Sequence, residues 1–419
     1  MSTRQTSDPC HQPTGLLQVE EARRRILAAL VPVAGREQVD LRHALDRVLD
    51  EPIVADQPVP GHDNSAMDGY ALRHADLASN GNLRLVGRAM AGAPFGGRID
   101  SGEVVRIMTG AVVPEGADTV VMQEQVVIDG ETVTVGPDHR LGENIRRAGE
   151  DLAPGDEVLA PGRRLTPADL GLIASLGRAE VAVRRRPRVA FFSTGDELRR
   201  VDEPLGPGEI HDSNRYLLHG LLSESGVEFI DGGIIEDDLA AIEDTLRDAA
   251  AMADLVITSG GASVGDADHI HTALERQGEV AFWRIAMKPG KPLAFGHVGK
   301  TAFFGLPGNP VSAMATFLQF VRPALAVLGG EPASAPATLP AVTAEPFRKT
   351  PGRTDFQRGC LEHDADGRLR VRPTGSQGSH ILRSMSLADC LVILPAESGD
   401  LDAGVPVMVQ PLRPLRTPL

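Results

Sequence analysis

The sequence predicts a multidomain protein of α/β plus β class, and three observations lead to this prediction. Strands alternate with helices from residue 187 to about 332, glycine-broken β-rich runs fill residues 83–135, and short strand-like runs follow a Pro/Ala/Gly linker at 329–340. Alternating strands and helices imply right-handed crossovers, and therefore a central α/β domain with a mostly parallel sheet. The last runs predict a small β-barrel or sandwich.

Helices are predicted on both sides of the β-rich part. Residues 16–33 carry an apolar stripe at helical spacing, and residues 41–50 are expected to form a second, short helix. A third helix, at 165–177, begins with a Thr cap and a proline and ends at a glycine. We therefore expect a discontinuous helical domain that encloses a β-rich inserted domain.

The predicted organisation has five parts. Asp129-Gly130 lies between two β-rich runs, which is a strong hairpin signal inside the β-rich part. The parts are a disordered tail at 1–14, the discontinuous helical domain at 15–54 and 142–182, the β-rich domain at 55–141, the α/β domain at 183–332 and the C-terminal β domain at 333–419.

Composition limits the classes of function. The net charge of −15 disfavours non-specific binding of nucleic acid, and an anionic substrate would have to meet local donors or a divalent metal. The three cysteines are too widely spaced for a metal site or a disulfide framework, which indicates a reducing cytoplasm. The N-terminus lacks the apolar core of a signal peptide, and no window of 18 apolar residues predicts a membrane span.

The stretch PVPGHDNSAMDGYA at residues 58–71 fits neither a helical nor a strand period. Its prolines and glycine interrupt regular structure, and its Asp, Asn and Ser residues favour turns and caps. A loop that merely joins two elements is one interpretation. The other is a loop that presents Asp63, Ser65 and Asp68 to a ligand, since functional polar groups often lie on loops held by rigid scaffolds.

Three polar loops follow predicted strands, at residues 193–197, 259–269 and 305–310. Ligands of parallel sheets bind beyond the carboxyl ends of the strands, so we expect these loops on one rim. In SGGASVG, at 259–265, free backbone N–H groups can approach a phosphate closely. The run is neither a Walker loop nor a dinucleotide fingerprint, and a plain tight turn is the alternative.

Acidic residues fall at the same predicted edge. Glu197, Asp237, Asp266 and Asp268 follow strands or begin helices. Carboxylates close to a phosphate are typical of Mg²⁺, which takes oxygen ligands and phosphate together. Helix capping is the alternative, above all for Asp237.

The run KPGKP at residues 288–292 places two lysines around a Pro-Gly turn. In an acidic protein this is a local positive charge suited to an oxyanion, and a solvated turn is the alternative. The charged run at 143–152 is by itself consistent with a solvated helix face.

Taken together, the motifs resemble a known family. The runs, in chain order, are DNSAMDGYA, MTGAVVPEGADTVVMQE, NIRRAGED, FSTGDEL, ITSGGASVGDAD, KPGKP and GLPGNPVS. Seven motifs in this order resemble the molybdopterin molybdenumtransferase family, whose eukaryotic relatives include the gephyrin E domain. Ala262 stands where the family commonly has valine.

The resemblance implies four subdomains: a discontinuous helical one, a β-rich one, an α/β one shared with the cofactor adenylyltransferases, and a C-terminal β-barrel. It implies insertion of molybdate into adenylylated molybdopterin, with Mg²⁺ or a similar divalent ion and with hydrolysis of the adenylate to AMP. It also implies a cytoplasmic homodimer with a shared active-site cleft, supplied by an adenylyltransferase and serving recipient molybdoenzymes. Neither nucleic acid nor a membrane is an expected partner.

Site residues follow from the same resemblance, with Asp68 acting across the dimer. The catalytic positions are Asp68, Thr109, Asp151, Glu197, Asp237 and Asp268, of which Glu197 and Asp268 would hold the metal. The cofactor-binding positions are Ser259, Gly260, Gly261, Ser263, Gly265, Lys288, Lys291, Pro292, Pro307, Pro310, Arg353 and Ser384.

Alternatives stay open for the C-terminal ligands and for the activity. The arginine is Arg353 or Arg358, and the serine is Ser376, Ser379 or Ser384. The α/β domain alone also resembles the adenylyltransferase of the preceding step, and a non-enzymatic scaffold is a third interpretation.

Overall fold

The computed structural model of the protein describes residues 15–78, 81–260 and 269–412. The chain forms two compact units. The large unit contains the chain up to Glu37, Asp46–Val48 and the chain from Arg184 onward. The small unit contains Gln38–Leu45 and Leu49–Val183.

The elements of the first part of the chain are mostly short strands. In chain order they are α1 (Val19–Ala28), β1 (Arg36–Asp40), β2 (Ile53–Val54), β3 (Asn64–Ser65), β4 (Gly69–Leu72), β5 (Asn82–Ala89), β6 (Glu103–Ile107), β7 (Thr119–Met122), β8 (Val126–Asp129), β9 (Thr132–Val135), β10 (Ile145–Arg146), β11 (Glu157–Leu159), α2 (Pro167–Ser175) and β12 (Glu180–Arg184). Helix α1 packs its buried face, Val19, Ala22 and Ile26, into the core of the large unit.

The small unit is built around a sheet with strand order β7-β4-β6-β5-β9-β8 among the described residues. Neighbouring strands are antiparallel except β5 and β6, which are parallel. The hairpin predicted at Asp129-Gly130 is confirmed, because Asp129 pairs with Thr132 across a two-residue turn. Gly130 has a φ of 59°, in the left-handed region that this turn requires.

The helix predicted at 165–177 is confirmed as α2. Thr166 accepts a hydrogen bond from the N–H of Asp169, and the Asp169 carboxylate accepts one from the N–H of Thr166 at 2.9 Å. This reciprocal capping box satisfies two donors at the start of the helix. Gly177, with a φ of 74°, follows its end.

The helix predicted over residues 41–50 is wrong. The chain makes only a 3-10 turn at Leu41–His43. Asp46 then adopts a φ of 60°, a left-handed conformation through which a right-handed helix cannot continue. Ala44 and Leu49 are still fully buried, so the apolar residues that suggested a helix pack into the core from an irregular segment.

The second part of the chain alternates longer strands with helices before a run of strands. In order these are β13 (Arg188–Thr194), β14 (Leu198–Arg199), β15 (Ile210–His211), α3 (Ser213–Glu224), β16 (Glu228–Ile235), α4 (Leu239–Met252), β17 (Leu255–Ser259), α5 (His269–Gln277), β18 (Gly278–Arg284), β19 (Met287–Lys288), β20 (Pro292–Val298), β21 (Thr301–Leu306), α6 (Pro310–Thr316), α7 (Arg322–Leu328), β22 (Leu339–Thr343), β23 (Thr354–His363), β24 (Leu369–Pro373), α8 (Leu382–Leu387), β25 (Cys390–Leu394) and β26 (Pro406–Pro411). The large unit therefore combines a mixed α/β part with a β part.

The described central sheet has strand order β16-β13-β17-β21-β20-β18. Its first four strands are parallel, and β20 and β18 add antiparallel pairs at one side. Successive side chains of a strand point to opposite faces, so Phe191 belongs to the core cluster that contains buried residues of α1, α3 and α6, whereas Phe192 belongs to the cluster with buried residues of α4 and α5. The sheet is thus covered by helices on both faces.

The segment Pro310–Leu328 joins α6, a π-helical turn at Phe317–Val321 and α7. Its 19 residues and its mean hydropathy of 1.5 would suffice for a membrane span, but 83% of the tested window is buried inside the protein. Gln319 in the π turn is 2% exposed and donates to the side chain of Gln410 at 2.5 Å. Arg23 donates to the Gln319 carbonyl at 3.0 Å.

The predicted C-terminal β-barrel is confirmed. Strands β23, β24, β22, β26 and β25 pair in this order, and β25 pairs again with β23, which closes a five-stranded barrel among the described residues. Val371, Val392 and Val409 are fully buried in its core. The short strand β19 pairs with β23 and thereby joins the lysine-bearing turn to the barrel.

Candidate active site

Three strands of the central sheet end side by side in the large unit. Ser193 at the end of β13 pairs with Ser259 at the end of β17, and Ser259 pairs with Leu306 at the end of β21. The loops after these strands therefore begin along one edge, as the sequence predicts. Such an edge is where parallel sheets bind ligands.

Asn214, at the start of α3, braces two of these loops. Its side-chain amide donates to the Ser259 hydroxyl and to the Gly308 carbonyl, both at 2.7 Å, and the residue is 7% exposed. Gly260 has a φ of 99°, and a Cβ there would lie 3.0 Å from the Thr194 carbonyl oxygen. Only glycine allows the loop to leave the strand in this conformation.

A cleft of about 550 Å³ opens at this edge of the large unit. Its described lining contains three basic side chains and no carboxylate. The lining residues are Gly260, Lys288, Pro289, Gly290, Lys291, Pro292, Pro307, Gly308, Asn309, Ser312, Arg353, Gln377, Gly378 and Ser379. In a protein with a net charge of −15, this local excess of positive charge favours an anionic ligand.

The turn between the two lysines is held from behind. The Lys288 ammonium lies 3.7 Å from the carboxylate of Asp355, which is 1% exposed. Gly290 has a φ of 100°, and a Cβ there would lie 2.6 Å from the Thr316 hydroxyl oxygen. The turn therefore packs directly on α6, and this packing fixes the direction in which the lysines leave the backbone.

A buried arginine supports the opposite wall of the cleft. The Arg358 guanidinium, 1% exposed, donates to the Ser384 hydroxyl and to the Gly378 carbonyl, both at 3.0 Å. Burial lowers the pKa of Arg358 to about 10. Its backbone N–H donates to the Gln377 side chain at 2.8 Å, so Arg358 fixes the loop that carries Gln377 and Gly378.

The C-terminal candidates thus fall into two sets. Arg353 and Ser379 line the cleft, whereas Arg358 and Ser384 lie behind its wall, and Ser384 is 4% exposed. Ser376 is exposed and is not part of the described lining. The ligand role predicted for Ser384 stays a prediction, and the structure gives this residue a supporting contact.

The predicted prolines also take different positions. Pro292 and Pro307 line the cleft, whereas Pro310 is the first residue of α6. The N–H of the next residue, Val311, donates to the Ser379 carbonyl at 3.2 Å. Pro310 therefore begins the helix that joins the cleft loop to the core.

Two predicted acidic residues of the large unit are exposed. Neither Glu197 nor Asp237 makes a side-chain hydrogen bond or an ion pair within the described residues. The neighbouring Asp238 caps α4, accepting from the N–H of Ala241 at 3.0 Å. The capping alternative thus applies to Asp238 and leaves the Asp237 carboxylate available.

Several predicted positions lie outside the described residues, namely Gly261, Ser263, Gly265, Asp266 and Asp268. In residues 15–78, 81–260 and 269–412, no group of three or more His, Cys, Asp or Glu side chains has the arrangement of a metal site. Of the two predicted metal ligands, Glu197 and Asp268, only Glu197 is among the described residues.

In the small unit, the structure brings Asp68 and Thr109 together. One oxygen of Asp68 accepts from both the N–H and the hydroxyl of Thr109, each at 2.8 Å. These hydrogen bonds, first the one from the backbone, lower the pKa of Asp68, and the charge of Arg106 lowers it further. Asp68 is therefore an oriented carboxylate that stays ionised, with its second oxygen outside this contact.

The other polar residues of the 58–71 loop have different roles. Ser65 is fully buried and donates to the Met67 carbonyl at 2.5 Å, so the expectation that it faces a ligand is wrong. Asp63 accepts from Arg147 at 2.5 Å and from the N–H of Ala148 at 2.8 Å, which ties the loop to the following segment. Asp151 is exposed, and no partner contacts its side chain in the described residues.

Several lining residues were not singled out from the sequence. Asn309 and Ser312 stand inside the quoted run GLPGNPVS, so the motif contained them although no role was assigned. Gln377 gave no signal of its own, and neither did Asn214, which braces two loops and is not a lining residue. Both act through contacts between segments far apart in the chain, and such contacts are not visible in local sequence patterns.

Comparison with protein families agrees with this architecture. Residues 17–177 match the model described as "MoeA N-terminal region (domain I and II)", residues 190–327 match "Probable molybdopterin binding domain", and residues 340–412 match "MoeA C-terminal region (domain IV)". The fold and its cationic cleft define a multidomain enzyme of molybdenum cofactor biosynthesis. The matched regions together extend over most of the chain.

Curated relatives identify the family. The chain is 44% identical over 402 residues to the molybdopterin molybdenumtransferase of Haemophilus influenzae, covering 96% of this chain and 100% of that protein. It is 35% identical to the Nostoc protein of the same name, covering 96% of each. This protein belongs to the molybdopterin molybdenumtransferase family and is a transferase.

A relative with another name and a solved structure are also similar. Gephyrin of Dictyostelium discoideum is 35% identical, with 88% of this chain and 58% of that protein covered. The crystal structure of the molybdopterin biosynthesis moeA protein from Pyrococcus horikoshii OT3 is 30% identical, with a TM-score of 0.82. The superposition covers 94% of this chain and 99% of the Pyrococcus horikoshii chain, so the similarity extends through all parts of the chain.

Proposed function

We propose that this enzyme inserts molybdate into adenylylated molybdopterin and hydrolyses the adenylate, giving molybdenum cofactor and AMP. The single observation that carries the proposal is the cleft of the large unit, in which Lys288, Lys291 and Arg353 meet and the described lining has no carboxylate. Molybdate is a tetrahedral dianion. Such a cleft stabilises it by charge-assisted hydrogen bonds that an acidic protein surface would not offer.

The cleft residues hold the oxyanion while the sulfur atoms of the pterin attack. Two thiolates of the dithiolene replace two oxygens of molybdate, which take up protons and leave as water without a change in oxidation state. The Lys291 ammonium donates to a molybdate oxygen, and Lys288 keeps its direction through Asp355. Arg353, which has no hydrogen-bond partner in the described residues, offers a planar set of donors to the same anion.

Hydrolysis of the adenylate adds water to phosphorus, cleaves the bond between the two phosphates and releases AMP. When bound, a divalent cation such as Mg²⁺ neutralises charge on both sides of this bond. Glu197 fits such an ion, because its carboxylate is exposed and has no partner in the described chain, and Asp268 is the proposed second ligand. Asp237 and Asp151 are proposed to lie around the same substrate.

We further propose a homodimer in which Asp68 and Thr109 of one subunit complete the cleft of the other. Asp68 supports this role, because its position is fixed by two hydrogen bonds from Thr109, which also lower its pKa below the ordinary value of an aspartate. It would orient the substrate or the attacking water. The glycine loop that begins at Ser259 and Gly260, together with Pro292, Pro307 and Pro310, would shape the pterin side.

The proposed cellular setting is the cytoplasm. The wide spacing of Cys10, Cys360 and Cys390 in the sequence, which offers no disulfide framework, supports a reducing compartment. There the enzyme would receive adenylylated pterin from an adenylyltransferase and pass its product to recipient molybdoenzymes.

Turnover with defined substrates tests the proposal. The purified protein is incubated with adenylylated molybdopterin, molybdate and Mg²⁺, and released AMP and active cofactor are measured. We expect AMP and cofactor in equal amounts. A protein that releases no AMP and forms no cofactor would refute the proposal.

A second incubation, with molybdopterin and Mg-ATP, tests the rival adenylyl transfer. Formation of the adenylylated pterin there, without any turnover in the first incubation, would assign the preceding step to this protein instead.

A further inference from the structure

The Asp68–Thr109 pair stands at the end of two antiparallel strands of the small unit. Asp68 directly precedes β4, and Thr109 follows β6 by two residues, so both lie at the same end of the strand pair. One register position behind them, Tyr70 of β4 is the direct partner of Arg106 of β6. Arg106 is therefore a neighbour of Asp68 by strand geometry.

Arg106 is held in place without an ion pair among the described residues. Its guanidinium lies 4.9 Å from the centre of the Tyr70 ring and donates to the side-chain oxygen of Gln123. The N–H of Gln123 in turn donates to the Asp68 carbonyl at 3.1 Å. The guanidinium is thus oriented by neutral groups, and most of its donors remain available.

A second arginine stands beside it. Arg88 of β5 pairs in parallel register with Arg106, so both side chains lie on the same face of the sheet. Arg88 is exposed, and no hydrogen bond or ion pair engages its side chain within the described chain. Arg84, on the same strand, differs because it pairs with Glu103 at 2.5 Å. Like charges directly opposite each other destabilise a sheet, and a bound anion would remove this cost.

We propose that Arg88 and Arg106 form a phosphate-binding subsite beside Asp68, which takes the phosphate of the adenylate in the substrate and in the product AMP. The inference rests on the proposed function, and it adds a binding role on the small unit to residues outside the predicted site.

Chemistry and charge support this assignment. The proposed substrates carry two separate anions, molybdate and the phosphates of the adenylylated pterin. The three cations of the large-unit cleft suit the first, and the phosphates need donors of their own. Two guanidinium groups on one face can bind phosphate oxygens in a bidentate manner. The Asp68 carboxylate is held by Thr109 and the Glu124 carboxylate by the Gln123 side-chain amide at 2.9 Å, and neither forms an ion pair with Arg88 or Arg106 within the described residues.

Direct binding of AMP to the full-length protein tests the proposal. Affinities for AMP, adenosine and inorganic phosphate are measured by calorimetry for the wild type, Arg88→Gln, Arg106→Gln and the control Arg84→Gln. We expect AMP affinity to fall at least about tenfold in the first two variants, as expected when a charge-assisted hydrogen bond is lost, and to stay unchanged in the control. Adenosine binding should be equal in all four proteins, because it lacks the phosphate.

Three outcomes would overturn the proposal: no AMP binding by the wild type, equal AMP affinity in wild type and Arg88→Gln, or dimer dissociation that alone accounts for the lost affinity. Dissociation of the dimer, which light scattering detects, would indicate that the two arginines pair with carboxylates of a second subunit instead of binding phosphate. Turnover of the wild type is measured in parallel. Normal turnover with unaffected AMP binding in the variants refutes only this subsite, whereas absent turnover refutes the proposed function.

Discussion

The cleft of the large unit and the Asp68–Thr109 pair of the small unit differ in charge and in how they are held. The cleft gathers Lys288, Lys291 and Arg353, and buried groups behind its walls keep these loops in place. The Asp68 carboxylate, at the end of a strand pair, is instead oriented by two hydrogen bonds from Thr109.

This difference shows that the two regions depend on different levels of structure. The cleft needs β19, the barrel loop and the start of α6 to meet, and these segments are far apart in the sequence. The carboxylate needs only two adjacent strands in the correct register.

The largest effect is expected from Lys291→Ala. Losing a charge-assisted hydrogen bond to molybdate should cost about 1.5–3 kcal/mol, or roughly 10- to 150-fold in molybdate affinity. Calorimetric titration with molybdate measures this loss. Lys300→Ala is the control, because Lys300 is exposed in a turn and does not line the cleft. Equal affinity of the two variants would contradict a role for the cleft in molybdate binding.

Mixed dimers test whether the two regions act together. Asp68→Ala and Lys291→Ala subunits are unfolded, mixed and refolded as dimers, and they are assayed at a molybdate concentration too low to support turnover by Lys291→Ala alone. Random pairing makes half of the dimers mixed, and each of these keeps one intact cleft, so about a quarter of wild-type activity should return. Proven heterodimers without activity would show that the two residues act within one subunit or not at all.

Substitutions at two serines distinguish a residue that supports the cleft wall from one that binds molybdate. Ser384→Ala removes an acceptor from buried Arg358 and should cost about 1–3 kcal/mol, seen as a melting temperature lowered by several degrees. Ser379→Ala should leave the melting temperature unchanged and weaken molybdate binding, because Ser379 lines the cleft. The reverse pattern, with a stable Ser384→Ala that binds molybdate poorly, would make Ser384 the ligand.

The smallest effect is expected from Thr109→Val. The variant keeps the backbone hydrogen bond to Asp68 and loses the one from the hydroxyl, so the pKa of Asp68 should rise toward its ordinary value. Activity that requires ionised Asp68 should then be lost at a higher pH on the acidic side. The pH profile of kcat/KM measures the shift, and Thr109→Ser should restore the original profile. Identical pH profiles for all three proteins would show that kcat/KM does not depend on the ionisation of Asp68.

Local signals were sufficient where one segment determines its own conformation. The capping residues around Thr166 predicted α2, and Asp129-Gly130 predicted the hairpin. The apolar spacing at 41–50 gave a wrong prediction because it is not a signal of local conformation. A periodic pattern reports which residues become buried, and here Ala44 and Leu49 are buried from an irregular segment rather than from a helix.

The sequence alone determined the family, the multidomain class with its C-terminal barrel, and the chemical character of the loops, because motifs and alternating elements are local properties of the chain. Only the tertiary structure decided which polar residues face the cleft. It placed Arg353 and Ser379 at the surface of the cleft and Arg358 and Ser384 behind it, and it buried Ser65. Residue type cannot distinguish a ligand from the side chain that supports it, since both need the same hydrogen-bonding groups and differ only in what packs around them.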